Sequence, residues 1–328
     1  MQYRTLGKTN LSVSEIALGT WQVGGKWGSG FDDANADHIL NTAIDHGINF
    51  IDTADVYEMG LSETAVGRVV RQRSGEVFIA SKCGRQINPH INTGYTTQVL
   101  RQYVEDSLQR MQIEALDLIQ LHCPPTEVYY RPEIFDLFAD LKKEGKIKNL
   151  GVSVEKVEEA LKAIEYPNVT TVQIIFNVFR QRPAELFFKE AARRNVGIIV
   201  RVPLASGLLT GLYHKDTQFE AGDHRHFNRN GEAFDKGETF SGIPYEKGLK
   251  AVEQLKKIFP DRKNLAPTAL QWILAHPEVS CIIPGASKVD HLLSNLSTSD
   301  LPGLQADQKA AMDNIYDDHI KPLVHHLW

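Results

Sequence analysis

The sequence is short of cysteine, of excess positive charge and of long apolar runs, and each shortage excludes something. Its three cysteines, Cys83, Cys123 and Cys281, are few, odd in number and without zinc-type spacing. They read as reduced thiols and point to the cytoplasm rather than to a disulfide framework. Basic residues do not dominate: 36 Lys and Arg stand against 41 Asp and Glu, a net charge of −5. That balance gives neither nucleic acid nor an anionic membrane a footing as partner. No apolar run approaches the length of a bilayer-spanning helix. The opening Met1-Gln2-Tyr3-Arg4 lacks the basic-then-apolar pattern of a signal peptide. G-x-G-x-x-G is missing after the first strand, which argues against a Rossmann site, and H-E-x-x-H, the P-loop and G-x-S-x-G are missing altogether.

What is present is a set of buried strands that end in polar residues. The stretch 47–57, Gly-Ile-Asn-Phe-Ile-Asp-Thr-Ala-Asp-Val-Tyr, begins as a short apolar strand, of the kind covered on both faces, and turns polar at Asp52, with Tyr57 five residues on. A second apolar strand, 77–80, ends in Ser81-Lys82. A third, 116–121, ends in His122. If the three are parallel neighbours, Asp52, Tyr57, Lys82 and His122 meet at one rim. A strand end with an Asx turn accounts for Asp52 or Asp55 alone, but not for the recurrence. Asp52 with His122 would also suit a metal-dependent hydrolase. No second His ends a strand, however, and Lys82 would repel a cation, so no metal is expected.

The rest of the chain sets this rim in a regular frame. Residues 3–13 read as a hairpin with its turn at 7–10, and 16–18 as a strand ending at Gly19. A glycine-rich loop follows, and Asp33 caps a helix carrying Ile39, Leu40, Ala43 and Ile44. Helices are expected over 61–70, 99–111, 132–143, 154–164 and 183–195, and strands over 147–152, 172–176 and 196–202. The stretch 204–245 has no convincing periodicity, which suggests a lid or binding segment. Helices over 246–258 and 267–275, a strand over 279–283, and helices to 296 and over 305–315 complete the pattern. Eight β-then-α units after the hairpin favour an α/β chain folded as a (β/α)8 TIM barrel. It is expected to form one domain over residues 1–328, with the N-terminal hairpin and a C-terminal extra helix and tail. In such a barrel the active site lies at the C-terminal ends of the strands, where Asp52, Lys82 and His122 fall.

These residues carry a resemblance. Gly19-Thr20-Trp21, Asn49-Phe50-Ile51-Asp52-Thr53-Ala54 with Tyr57, Ser62-Glu63, Ser81-Lys82, Leu121-His122, Gly151-Val152-Ser153 and Gln173 appear in order. They are followed by the run from Pro203 to Gly211, Asp223-His224-Arg225, Ile283-Pro284-Gly285 and Asn295. Together they resemble an aldo-keto reductase, of the bacterial type that is also similar to the β subunits of voltage-gated potassium channels. The resemblance spans nearly the whole chain and implies reduction of aldehydes or ketones, sugars among them, with NADP(H), or the reverse oxidation. NAD(H) is the alternative cofactor. A regulatory or redox-sensing cofactor-binding subunit with little turnover is the alternative function. No long extension precedes the barrel, which argues mildly against a channel partner.

The resemblance maps a catalytic tetrad onto Asp52, Tyr57, Lys82 and His122. Hydride attack builds charge on the carbonyl oxygen, and Tyr57 is the candidate acid. A free phenol titrates near ~10, so a neighbouring Lys82, held by Asp52, is expected to favour the phenolate. His122 is expected to donate to the carbonyl oxygen. By the same resemblance Ser153 and Gln173 would bind the nicotinamide carboxamide. The backbone of Pro203, Leu204, Ala205, Ser206, Gly207 and Leu208 would wrap the pyrophosphate. Arg225, Ser287, Lys288 and Asn295 would hold the adenosine end and a 2′-phosphate. Gly19, Thr20, Trp21, Asp52, Arg201, Val202, Gly285 and His291 would complete the cofactor groove. The substrate walls are expected to be Trp21, Trp27, Tyr57 and His122, with the loop 85–94 and the tail around His325, His326 and Trp328. The chain departs from the common pattern at Val154, Arg201-Val202, His291 and Ser294, which bears on the carboxamide and adenine contacts. Arg201 stands where an aromatic residue usually stacks on nicotinamide, and its charge would disfavour the cationic oxidised form.

Overall fold

The computed structural model of the chain describes residues 1–25 and 30–328. Strands β1 (Tyr3–Thr5) and β2 (Ser12–Ser14) pair antiparallel as a small hairpin. Eight more strands form one parallel sheet in chain order: β3 (Leu18–Gly19), β4 (Phe50–Asp52), β5 (Phe78–Cys83), β6 (Leu118–His122), β7 (Leu150–Ser153), β8 (Val169–Ile175), β9 (Gly197–Arg201) and β10 (Val279–Ile282). Parallel bridges from Ile16 to Ile282 and from Gly19 to Gly285 bring the last strand back to the first. The sheet is thereby a (β/α)8 barrel. Helices α1 (Asp33–Asp45), α2 (Leu61–Arg71), α3 (Thr97–Met111), α4 (Pro132–Lys143), α5 (Val157–Ala163) and α6 (Phe187–Arg193) follow β3 to β8 in turn. After β9 come α7 (His224–Phe227), α8 (Tyr245–Ile258) and α9 (Ala266–Leu274). After β10 come α10 (Val289–Leu296), α11 (Ala306–Ile315) and α12 (Lys321–Val324).

The strands are buried on both faces, and the two faces build two cores. One set of side chains packs outward against the helices. The other fills the barrel: Phe50, Phe78, Ala80, Leu118, Ile199 and Cys281, closed by Leu6 and Val13 of the hairpin. Strand side chains alternate, so residues two apart share a face. Phe50 and Asp52 share one, as do Ala80 and Lys82, Leu118, Gln120 and His122, and Ile199 and Arg201. The barrel lumen is therefore apolar low down and polar at its C-terminal end. At the other end the backbone turns tightly enough that Gly7, at φ 52°, has room for no side chain. A Cβ there would lie 2.2 Å from the Gly197 nitrogen.

Local chemistry moves several expected boundaries. Asp32, not Asp33, caps α1, its side chain accepting from the Asn35 N–H. The helix expected from 154 starts at Val157, because the Glu159 carboxylate accepts the backbone N–H groups of Glu155 and Lys156 and so fixes the first turn there. The helix expected over 183–195 is a 3-10 turn, Arg182–Ala184, followed by α6. Trp27 and the loop glycine Gly28 lie outside the described residues.

Candidate active site

The register of β4, β5 and β6 brings the strand-end residues together. Lys82 is fully buried, and its ammonium spends all three donors inside the protein. One goes to Asp52 Oδ1 at 2.5 Å, one to the Thr53 carbonyl at 2.9 Å and one to the Tyr57 hydroxyl at 3.0 Å. Since the phenol oxygen accepts from Lys82, its own O–H is not used on the lysine. Asp52 is anchored from the far side, its Oδ2 accepting from Gln120 Nε2 at 3.0 Å and Gln173 Nε2 at 2.8 Å. The His122 ring stands edge-on to Tyr57 with centroids 6.0 Å apart, and Trp21 lies 6.4 Å from Tyr57.

Burial and charge set the proton states. Burial drives the Tyr57 phenol above its ordinary value, and Lys82 offsets this only in part. The expected lowering by Lys82 is present but outweighed by the desolvation of the phenol. Burial pulls Lys82 down, yet Asp52 and Tyr57 more than compensate, so the amine stays charged. His122 is held well below the usual imidazole range by burial first and then by Arg85, Lys82 and Arg201. It is neutral at neutral pH, and its Nδ1 has no protein partner.

Tyr57 and His122 open onto a cavity of about 760 Å³. Of the residues expected to hold a cofactor, sixteen line it: Gly19, Thr20, Trp21, Asp52, Gln173, Arg201, Val202, Pro203, Leu204, Ser206, Gly207, Arg225, Gly285, Lys288, His291 and Asn295. Four do not. Ser153 is buried with its hydroxyl against Cys123 Sγ at 3.5 Å. Ala205 and Leu208 point into the core. Ser287 lies on an adjoining cavity of about 570 Å³ with Gln22, Asp32, Asn35 and Asp223. Lys82 sits behind Tyr57, and Trp27 falls outside the described residues. The tail is not a cavity wall. The Trp328 indole donates to Asp235 Oδ1 at 2.9 Å, and His325 pairs with Tyr316 and Glu185.

Sequence reasoning missed Tyr213, His224, Phe234 and Glu238, which also line the cavity. All four come from the aperiodic stretch after β9, so its lack of periodicity located them collectively and not singly. Arg201 is not a free plane awaiting a ring. It donates to Glu155 at 2.8 Å and to the Val154 carbonyl at 3.1 Å, and lies 3.6 Å from Glu238. Cys123, Glu155 and Glu238 are grouped with metal-like spacing among the described residues. The Arg201 guanidinium already fills that space, and its charge opposes a cation. Backbone strain collects around the same rim. Glu58 and Met59 after Tyr57, Cys123 after His122, and Val202, Ala205 and Ser206 after Arg201 all have positive φ without being glycine. Each such residue costs about 1–3 kcal/mol and persists where the surroundings hold it.

The cavity fits a dinucleotide by its own chemistry. Its wall includes Tyr57, the left-handed turn at Gly207 and the basic residues Arg225, Lys288 and His291. Buried polar atoms without protein partners, His122 Nδ1, Arg201 Nε and His224 Nε2, belong to residues of its wall.

The chain belongs to the aldo/keto reductase family, whose pattern it matches over residues 15–317. It is an oxidoreductase of a family that works with nicotinamide cofactors. It is 29% identical over 334 residues to the aldo-keto reductase YhdN of Bacillus subtilis, covering 98% of this chain and 97% of that one. It is 27% identical to an NADH-specific methylglyoxal reductase of Escherichia coli, over 92% and 94% of the two chains. It is 26% identical to a probable voltage-gated potassium channel β subunit of Arabidopsis thaliana, over 92% of each. Among solved structures, a glycerol dehydrogenase of Gluconobacter oxydans superposes with a TM-score of 0.79 at 30% identity, over 97% of this chain and 96% of that one.

Proposed function

We propose that this chain, one barrel domain over residues 1–328 working in the cytoplasm, reduces an aldehyde or ketone to an alcohol with NADP(H), or runs the reverse reaction. The observation that carries the reading is the Lys82 ammonium, donating to Tyr57 while Asp52 and Thr53 hold it in place. Tyr57 is the acid: its O–H faces the cavity and gives its proton to the carbonyl oxygen as charge builds there. Lys82 steadies the phenolate left behind, and Asp52, braced by Gln120 and Gln173, keeps Lys82 charged. Neutral His122 donates a hydrogen bond to the same oxygen and fixes its position. The cofactor, when bound, supplies the hydride.

Trp21, Arg201, Val202 and the turn 203–207 would hold the nicotinamide and pyrophosphate, and Arg225, Lys288, His291 and Asn295 the adenosine end. Lys288 and Arg225 give the positive charge a 2′-phosphate needs, which supports NADP(H). Arg225 already holds Asp223 and Tyr213, so Lys288 is the more available cation. The test is NADPH oxidation, followed by absorbance, with a panel of aldehydes, sugars and ketones, beside Tyr57→Phe. General acid catalysis contributes roughly 100-fold or more, so kcat should fall by about that factor while NADPH still binds. Equal turnover in both proteins would remove Tyr57 from the reaction. Absent turnover in both, with tight NADPH binding, would replace the reductase by a binding role. Binding of NADPH and NADH measured side by side should favour NADPH, and Lys288→Ala should narrow the gap. Equal binding of the two by the parent would leave NADP(H) without support.

A further inference from the structure

We propose that the substrate carries an anionic group, carboxylate or phosphate, beside its carbonyl, and that Arg85 binds that group. The inference rests on the reading of Tyr57 and His122 as the reacting end of the cavity. Arg85 follows β5 in the loop just past Lys82, and its guanidinium lines the cavity above the Phe234 ring, 5.4 Å from the ring centre. It pairs with Glu238 at 2.8 Å. The Phe234 ring lies 6.4 Å from Trp21 and Trp21 lies 6.4 Å from Tyr57, which puts Arg85 at the reacting end, and its charge helps to hold His122 neutral.

The charges around Arg85 do not cancel. Glu238 is shared, since Arg201 also faces it at 3.6 Å and reaches Glu155 at 2.8 Å. The Glu155 and Glu238 carboxyls lie within 4.8 Å of each other, and two carboxylates that close do not both ionise. Burial, with Glu238 adding to it, pushes Glu155 up to about 8. Against burial, Arg85 and Arg201 hold Glu238 down at about 2. Burial and Glu238 thus disfavour the charged form of Glu155, while Glu238 is the carboxylate that Arg85 and Arg201 hold between them. Two guanidinium groups share the Glu238 carboxylate, and of their five N–H donors each those of Arg85 stand on the cavity wall with Glu238 as ion-pair partner. A guanidinium with spare donors beside a neutral imidazole suits an anion and repels a metal ion.

The test uses matched probes on the NADPH-saturated protein. Binding of benzoate and of benzamide is measured by tryptophan fluorescence or calorimetry. Turnover is measured for 4-carboxybenzaldehyde against methyl 4-formylbenzoate, and for glyceraldehyde 3-phosphate against glyceraldehyde. The two turnover pairs separate carboxylate from phosphate. One charge-assisted bond supports about a tenfold preference for the charged member of a pair. Arg85→Gln should bring the charged-to-neutral ratio close to one, and Arg85→Lys should restore part of it. The ratio is the readout because loosening the loop held through Glu238 would lower both members alike. A parent protein that binds benzamide as well as benzoate, or a ratio unmoved in Arg85→Gln, overturns the proposal. If no carbonyl is turned over at all, the reductase reading fails, while the benzoate and benzamide comparison still decides this one.

Discussion

Asp55 is buried beside the tetrad without being part of it, and neither carboxylate oxygen has a well-formed hydrogen bond. Burial first and Glu63 second push it up to about 7, against the pull of Arg110 and Lys82. An unfolded carboxyl titrates at 3.8, so between 3.8 and about 7 the folded chain holds a proton that the unfolded chain has lost. Stability contributed by that proton is complete at low pH and is lost as pH rises through about 7. Asp55→Asn cannot ionise. Its Tm should gain on the parent's between pH 5 and pH 8; a gap that stays flat would mean Asp55 is charged throughout. Arg201 illustrates the opposite case. Removing it as Arg201→Met leaves Glu238 and Glu155 facing each other with less compensation. Breaking a buried pair costs about 3–5 kcal/mol, which denaturant unfolding would register. These two residues also mark where reading the sequence stops. Asp52, Lys82 and His122 announce themselves as polar residues ending apolar strands. Arg201 ends a strand in the same way, but which carboxyls meet it depends on segments far apart in the chain.

The segment between β9 and α8 is the element that the hydrophobic pattern left blank. It is held by scattered side-chain bonds rather than by a repeating apolar stripe, which is why no periodicity betrays its course. Ser206 Oγ donates to the Glu238 carbonyl at 3.0 Å, Asn177 Nδ2 to Ser241 Oγ at 2.8 Å, and Arg85 pairs with Glu238. Trp328 fastens it from outside. Its ring stacks on Arg180 at 4.2 Å and fills space left by Gly237 and Gly242, where a Cβ would come within 2.9 Å and 2.2 Å of it. Trp328 does not line the cavity. Trp328→Ala should nonetheless speed cofactor release and expose 204–245 to limited proteolysis. A cleavage pattern and release rate identical to the parent's would show that the segment holds itself.

At the scale of the molecule, the eight-fold alternation of strands and helices is plain in the sequence because each unit obeys the same two periods. The closure of the lumen by the hairpin is less plain, since Leu6 and Val13 look like ordinary hairpin residues until the barrel closes over them. Gly7→Ala should destabilise the whole barrel, because its Cβ meets backbone on which β9 depends and its φ is left-handed. A Tm within a degree of the parent's would show that the hairpin can shift aside. The same closure governs the three thiols. Burial raises Cys83, Cys123 and Cys281 alike above the ordinary thiol range. Cys123, 6% exposed, is nearest to solvent, while Cys281 lies inside the lumen. A thiol-labelling reagent therefore works on this protein as a clock. Cys123 should mark local breathing of the rim and Cys281 the rarer opening of the barrel itself, so the chain carries its own timers for two depths of motion.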